Sequence, residues 1–468
     1  MVFSSITFIF YFLPITIAIY FCVPACCQNV VLLFCSLFFY AWGEPQNVLF
    51  MGISMISGYG FGLLVEKYKH ASSGRIWCFL SICVSLSFLL YFKYANFVLK
   101  NVNQMMGMKL PLLQVSLPVG ISFYTFQMIS YTVDVYRGEQ AQKNILNLAV
   151  YITMFPQLIA GPIVRYADIA NQIGPDQETG KRRRTSLTMA AQGIRCFVTG
   201  LAKKVLLADQ LGQLCSIFRS SEEKSVLFYW IYGISCSLYL YFDFSGYSDM
   251  AVGLGKIFGF HFPQNFNAPF ISGSMTEFWR RWHISLGSWF RDYVYIPLGG
   301  NRNGRMHQMI YIFIVWLLTG LWHGAEWNFM IWGLFFAVLI SAEKLFKKKR
   351  GFFSHIYFLF FIIISFVIFH AQNLTQAISD IGGLFGVGGI AFVTKETLYY
   401  LRSFGVILMS AILCTIPFTR DIQSMMKSYP AVKKAAAWIE PAALLALMIV
   451  ISAYLVDSSF HPFLYFRF

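Results

Sequence analysis

The chain alternates long apolar runs with short polar connectors, and the length of those runs predicts membrane helices. Stretches near the 17–25 residues that span a bilayer occur at Ile6–Val23, Val30–Trp42, Val48–Val65, Ile76–Phe92, Leu117–Val135, Thr188–Leu211 and Leu227–Phe244. Further runs fall at Met309–Trp322, Trp327–Leu345, His355–Phe369, Leu401–Pro417 and Ala443–Leu455. The pattern predicts an all-α polytopic membrane protein with about 11–12 transmembrane helices, organised as a single integral-membrane domain over residues 1–468. Tyr151–Val164 is interrupted by Pro156, Gly161 and Pro162, and reads as a re-entrant element rather than a span.

Between Ser274 and Leu298 the period changes. Ser274 and Glu277 form a capping box, after which Trp279, Trp282, His283, Leu286, Phe290 and Tyr293 recur at helical spacing, opposite Arg280, Arg281 and Arg291. This predicts one amphipathic helix lying in the membrane interface with His283 on its buried face.

Composition agrees on the solvent. At 57% hydrophobic, 12% charged and mean hydropathy +0.60, the chain carries about half the charge of a soluble domain. The net charge of +15 is topological: Lys67, Lys69, Arg75, Arg137, Lys143, the run Lys181–Arg184 and the run Lys347–Arg350 all fall on connectors that alternation assigns to one side, which is cytoplasmic. The N-terminus is then expected outside, in a multi-pass protein of the cell membrane. Each basic run abuts a span, so a nucleic-acid role is disfavoured. The ten cysteines lie mostly in apolar segments and read as small hydrophobes. No two of the eight histidines are three or four positions apart, so no metal site is indicated.

Chemistry concentrates on few residues. His323 lies roughly 20 Å along a membrane helix at ~1.5 Å per residue, where an ionisable group is expensive and points to function or to a satisfied interhelical hydrogen bond. Asp243 and Asp249 could line a polar path or bond a helix end. Glu326 could orient His323, unless the helix breaks at Gly324. No nucleophile elbow, phosphate-binding glycine loop or zinc-protease motif occurs.

The strings EFWRRWHISLGSWFRDYVYIPLGGNR (Glu277–Arg302) and LTGLWHGAEWNFMIWG (Leu318–Gly333) resemble those of the membrane-bound O-acyltransferase family. Within it they are most similar to the bacterial branch of alginate O-acetyltransferase membrane subunits, related to teichoic acid D-alanyl transfer proteins. PVGISFYTFQMISYTVDVYRG, MFPQLIAGPIVRY and YFDFSGYSDMAVGLGKIFGFHFPQNFNAPF add to the resemblance. It implies two funnels meeting at a buried histidine. His323 would be the general base, since an imidazole takes a hydroxyl proton near neutral pH. His283 would gate, orient or relay, while Trp322, Asn328, Trp282 and Asp243 would shape the channel, with Asn328 a donor to the developing oxyanion. The ending FHPFLYFRF resembles a terminal aromatic motif associated with acyl passage through tyrosine, which makes Tyr465 a candidate carrier.

The resemblance further implies an acyl donor, acetyl-CoA or an acylated carrier protein, on the cytoplasmic side. The acceptor would be an extracytoplasmic polysaccharide, reached with an SGNH-type hydrolase or transferase partner and without a tightly bound cofactor. D-Alanyl transfer to teichoic acid and peptidoglycan O-acetylation are alternatives with the same chemistry. A transporter and an idle scaffold are the rivals of other classes, although no paired interrupted segments support the former.

Overall fold

A computed structural model describes residues 2–175, 183–346, 351–417 and 430–457, and every regular element among them is helical. Tyr465 and the run Lys347–Arg350 lie outside the described residues. In chain order the helices are α1 (Leu13–Cys22), α2 (Gln28–Gly43), α3 (Asn47–Tyr68), α4 (Ser72–Leu89), α5 (Ala95–Met106), α6 (Ile121–Arg137), α7 (Ile145–Thr153), α8 (Phe155–Leu158), α9 (Tyr166–Ile173) and α10 (Leu187–Ala202). There follow α11 (Asp209–Ser220), α12 (Val226–Ile257), α13 (Met275–Trp279), α14 (Ile284–Phe290), α15 (Gly304–His323), α16 (Trp327–Leu345), α17 (Phe352–His370), α18 (Leu374–Leu384), α19 (Lys395–Cys414) and α20 (Pro430–Asp457).

Each apolar run expected to span falls on a helix, but not all are equally apolar. Among the described residues seven helices are long and apolar enough to cross a membrane: α3, the continuous stretch Ser72–Met106, α15, α16, α17, α19 and Ala436–Asp457. Phe8–Cys22 and Gln28–Gly43 are shorter apolar helices. The expected spans on α6 and α12 are helices that carry polar or charged side chains inward, and the one that includes α10 buries Lys204 in the π-helical turn that follows it. In α6 these are Thr125, Gln127, Ser130, Thr132 and Asp134, all buried. Such residues lower the hydropathy of a segment while leaving it embedded in protein, where a polar group finds partners.

Residue contacts divide the chain into two compact units, Met1–Phe197 with Met250–Pro263, and Val198–Asp249 with Gln264–Phe468. In the first, α3, α4 and α6 pack on one another and α2 packs on α7. The segment Tyr151–Val164 is helix, break and short helix, and nearly all of it is buried. Its interruptions are satisfied locally: Tyr151 Oη donates to the Val164 carbonyl at 2.9 Å, and the Phe155 N–H donates to Ser36 Oγ at 3.1 Å. Irregular backbone inside a membrane protein requires such internal partners.

In the second unit α15 and α16 form a close pair. A Cβ at Gly320 would meet the Phe329 carbonyl, and one at Gly333 would meet the Trp316 carbonyl, so two glycines let the backbones approach. That approach places the end of α15 against α16.

Candidate active site

His323 is the last residue of α15, with Gly324 as its C-cap and Glu326 already at the N-cap of α16. The break at Gly324 separates the ring from Glu326 in helical phase. The imidazole is 4% exposed and meets three aromatic rings edge-on, at centroid distances of 4.9 Å to Trp322, 5.1 Å to Trp332 and 5.1 Å to Phe369. It therefore sits in an aromatic chamber made by α15, α16 and the C-terminal end of α17.

His283 reaches the same chamber by a different route from the expected one. The stretch 274–298 is not a single amphipathic helix. It opens as expected, with Ser274 Oγ accepting from the Glu277 N–H at 3.1 Å, and Glu343 of α16 also caps it, accepting from the Met275 and Thr276 N–H groups at 2.6 and 3.0 Å. The helix then stops after Trp279, and His283 is the N-cap of α14 at φ 44° and ψ 51°. Hydrophobic spacing alone carries no sign of this break. A left-handed conformation at a non-glycine residue is held against a cost of order 1–3 kcal/mol by its surroundings, and here Asn265 does the holding. The Asn265 carbonyl accepts from the Ile284 N–H at 3.0 Å. Its Oδ1 accepts from the Ser285 N–H at 3.1 Å and Ser285 Oγ at 2.9 Å, and faces His283 Nδ1 at 3.1 Å.

Because Asn265 Oδ1 is already an acceptor for Ser285, His283 Nδ1 carries the proton and Nε2 keeps its lone pair. Among the described residues, buried Nε2 has no hydrogen-bond partner. His283 lies outside the long apolar helices, and burial pushes its pKa down to about 3, because a low-dielectric site disfavours the charged ring. The side chain is thus a neutral hydrogen-bond acceptor at physiological pH. Trp322 lies between the two histidines, 5.9 Å from the His283 ring and 4.9 Å from the His323 ring.

His283 lines a cavity of about 600 Å³. Arg280, Arg291 and Lys344 give it a cationic edge, Trp279 and Trp316 an aromatic wall, and Thr319, one turn before His323, also lines it. A second, more polar cavity of about 770 Å³ lies between α11, Tyr239 and the end of α17, lined by Asp209, Gln213, Arg219, His370 and Gln372 among others. The turn Phe369–Ala371 separates this space from His323: the Phe369 ring packs on His323, and His370 lines the cavity.

The other expected site residues take more specific places. Asn328 is fully buried, and its Nδ2 donates to the Ala371 carbonyl at 2.9 Å and the Ile368 carbonyl at 3.4 Å. The amide nitrogen expected to face an oxyanion instead ties α16 to the end of α17, and Oδ1 is the atom left without a partner among the described residues. Trp282 packs in an aromatic cluster with Phe266, Phe278 and Phe366 at centroid distances of 5.1, 5.3 and 5.1 Å, and does not line the cationic cavity. Asp243 is 1% exposed and ion-paired with Lys204 at 2.6 Å, which also meets Asp209 at 2.8 Å. Asp249 pairs separately with Lys203 at 2.6 Å.

Lys204, Asp209, Asn265 and His370 were not anticipated. Lys204 had a signal, since a lysine inside the apolar run Thr188–Leu211 demands a partner. Asn265 had none, because its contribution depends on a loop conformation.

A buried histidine at a helix break, walled by aromatics and lying near two cavities of different polarity, within a body of apolar helices, is the arrangement of a candidate integral-membrane enzyme site. Comparison gives the class a name. Residues 70–379 match the model of MBOAT, the membrane-bound O-acyltransferase family. The chain is 36% identical to the probable alginate O-acetylase AlgI of Pseudomonas putida over 100% of both chains. It is 40% identical to the protein of that name from Pseudomonas syringae pv. tomato, over 83% of this chain and 76% of the relative. It is 30% identical to a peptidoglycan O-acetyltransferase of Helicobacter pylori over 100% of this chain and 98% of the relative. The chain belongs to the membrane-bound O-acyltransferase family and is an acyltransferase of the membrane.

Proposed function

We propose that this protein takes an acetyl group from cytoplasmic acetyl-CoA, or from an acetylated carrier protein, and passes it toward an extracytoplasmic polysaccharide, with His323 as general base. The observation that carries the reading is the position of His323 at the break of α15, one turn beyond a cavity edged by Arg280, Arg291 and Lys344 and behind the wall of a second, polar cavity. Cations at the mouth of the first complement the phosphates of a CoA or a phosphopantetheine arm. Lys344 stands three positions before the basic run Lys347–Arg350, whose charge marks the cytoplasmic side. The polar cavity adjoins the opposite end of α17 and suits a hydroxyl-rich acceptor.

In the reaction His323 accepts the acceptor's hydroxyl proton as the oxygen attacks the thioester carbonyl. The tetrahedral intermediate collapses, the thiolate leaves, and it regains the proton from the imidazolium. His283, weakly basic in its dry site, orients the donor by accepting a hydrogen bond at Nε2. No tightly bound cofactor enters the scheme.

The polysaccharide reading follows the alginate O-acetylase relatives, with peptidoglycan as the alternative acceptor and D-alanyl transfer as the alternative chemistry. Final transfer to sugar is assigned to an SGNH-type partner in the extracytoplasmic space of the inner membrane. Tyr465, outside the described residues, is proposed as the intermediate acceptor, because a phenol ester is more activated than an alkyl ester. Sealed vesicles of both orientations given labelled acetyl-CoA test the direction. Label on the lumenal face of inverted vesicles alone is expected; equal labelling of right-side-out vesicles would overturn it. Tyr465→Phe with undiminished transfer to glycan would remove the tyrosine step.

A further inference from the structure

Outside the acyl-transfer chamber, two cysteines that are 21 positions apart meet. Cys215 Sγ on α11 and Cys236 Sγ on α12 are 3.4 Å apart, and both side chains are buried. Cys215, though buried, is among the residues that line the polar cavity, the side from which a reagent would approach it. Cys236 lies behind it, near Tyr232 and His370, which are themselves 3.0 Å apart from Oη to Nδ1. The rim is braced by Arg219, which pairs with both oxygens of Asp380 at 2.9 and 2.6 Å. A disulfide has sulfurs about 2.05 Å apart, so the pair needs a closure of roughly 1.3 Å, within reach of side-chain torsions.

We propose that Cys215 and Cys236 form an intramolecular disulfide that fastens α11 to α12 in the wall of the polar cavity. The oxidant is an external disulfide, on a thiol-oxidising protein of the extracytoplasmic space. The Cys215 sulfur attacks that disulfide as its proton passes to the departing external sulfur, releasing one external thiol and leaving a mixed disulfide on Cys215. Cys236 gives its proton to His370 and attacks the Cys215 sulfur, expelling the second external thiolate. Two S–H bonds and one external S–S bond break, one internal S–S bond forms, and the protein's two protons end on the external dithiol.

The location rests on the sidedness proposed above. The connector between α11 and α12 follows the span that begins after the basic run Lys181–Arg184, and so lies on the oxidising side. The remaining cysteines offer no comparable arrangement: Cys26 and Cys27, at 3.8 Å, are sequence neighbours on an exposed turn.

The test is trapping of thiols in the full-length protein by N-ethylmaleimide under denaturing conditions, applied to membranes taken directly from cells and to the same membranes after oxidised glutathione. A Cys215–Cys236 linked peptide, lighter by two hydrogens and resolved by dithiothreitol, is expected in both samples. Both cysteines labelled in both samples would overturn the pairing. A link found only after oxidised glutathione would overturn the cellular location and leave the pairing standing. Cys236→Ser separates the staple from any packing role: dithiothreitol should lower the Tm of the oxidised wild type and leave that of the variant unchanged.

Discussion

Lys204 offers a quantitative test of how the second unit is held together. Its ammonium is fully buried between Asp243, 1% exposed, and Asp209, 13% exposed, at 2.6 and 2.8 Å. The residue sits in the π-helical turn Lys203–Ala208 between α10 and α11, a local widening common at functional sites. Lys204→Met keeps the volume and removes the cation, leaving two carboxylates facing each other, one of them without access to water. Removing one partner of a buried pair costs about 3–5 kcal/mol, because the penalty is the abandoned charge rather than the lost attraction. Asp243→Asn should cost less, on the order of 1.5–3 kcal/mol, since Lys204 retains Asp209 and an amide oxygen can still accept. Lys204→Met with Asp243→Leu removes both deeply buried charges, and Asp209 borders the polar cavity, so the double variant should recover much of the loss. Thermal melting in detergent should rank wild type above Asp243→Asn and Asp243→Asn above Lys204→Met, with the double variant above Lys204→Met. A Lys204→Met protein melting with the wild type, or a double variant as poor as the sum of its parts, would refute the reasoning.

Two further outcomes follow from the site. With its pKa depressed to about 3, His283 excludes the proton in the folded state; its contribution is complete above the unfolded value near 6.5 and declines as pH falls from there toward 3, because protonation favours the unfolded chain. Melting temperature against pH should therefore fall more steeply below pH ~6.5 in the wild type than in His283→Gln, and parallel curves would contradict it. Gly320→Ala drives a Cβ into the Phe329 carbonyl, and overpacking of this kind costs about 1–3 kcal/mol. By moving the end of α15 it should lower kcat more than it raises KM for the donor; unchanged kinetics would show that the close helix approach does not position His323.

The helical membrane body was legible in the sequence because apolar length is a direct consequence of bilayer thickness, and His323 stood out as a candidate because an ionisable group at that depth is expensive. Periodicity failed at 274–298, where Trp279, Trp282 and His283 fit one helical face. The chain nevertheless turns at His283, because Asn265, far enough away in sequence to be invisible to a local pattern, holds the left-handed conformation. Asn328 shows a second limit: residue type announces a buried amide, but which carbonyl it meets depends on where α17 ends. The pairing of Asp243 with Lys204 lies between these cases, since both residues stand in apolar runs and each implies a partner without naming it.

The most direct test of the central claim is acetyl transfer from labelled acetyl-CoA by the purified protein and its His323→Ala variant, with melting curves confirming that both are folded. A role as general base predicts a fall in turnover of ~10²–10⁴-fold with the donor KM little changed. Turnover by a folded His323→Ala protein equal to that of the wild type would contradict the account and return the chain to a role in which the histidine is structural.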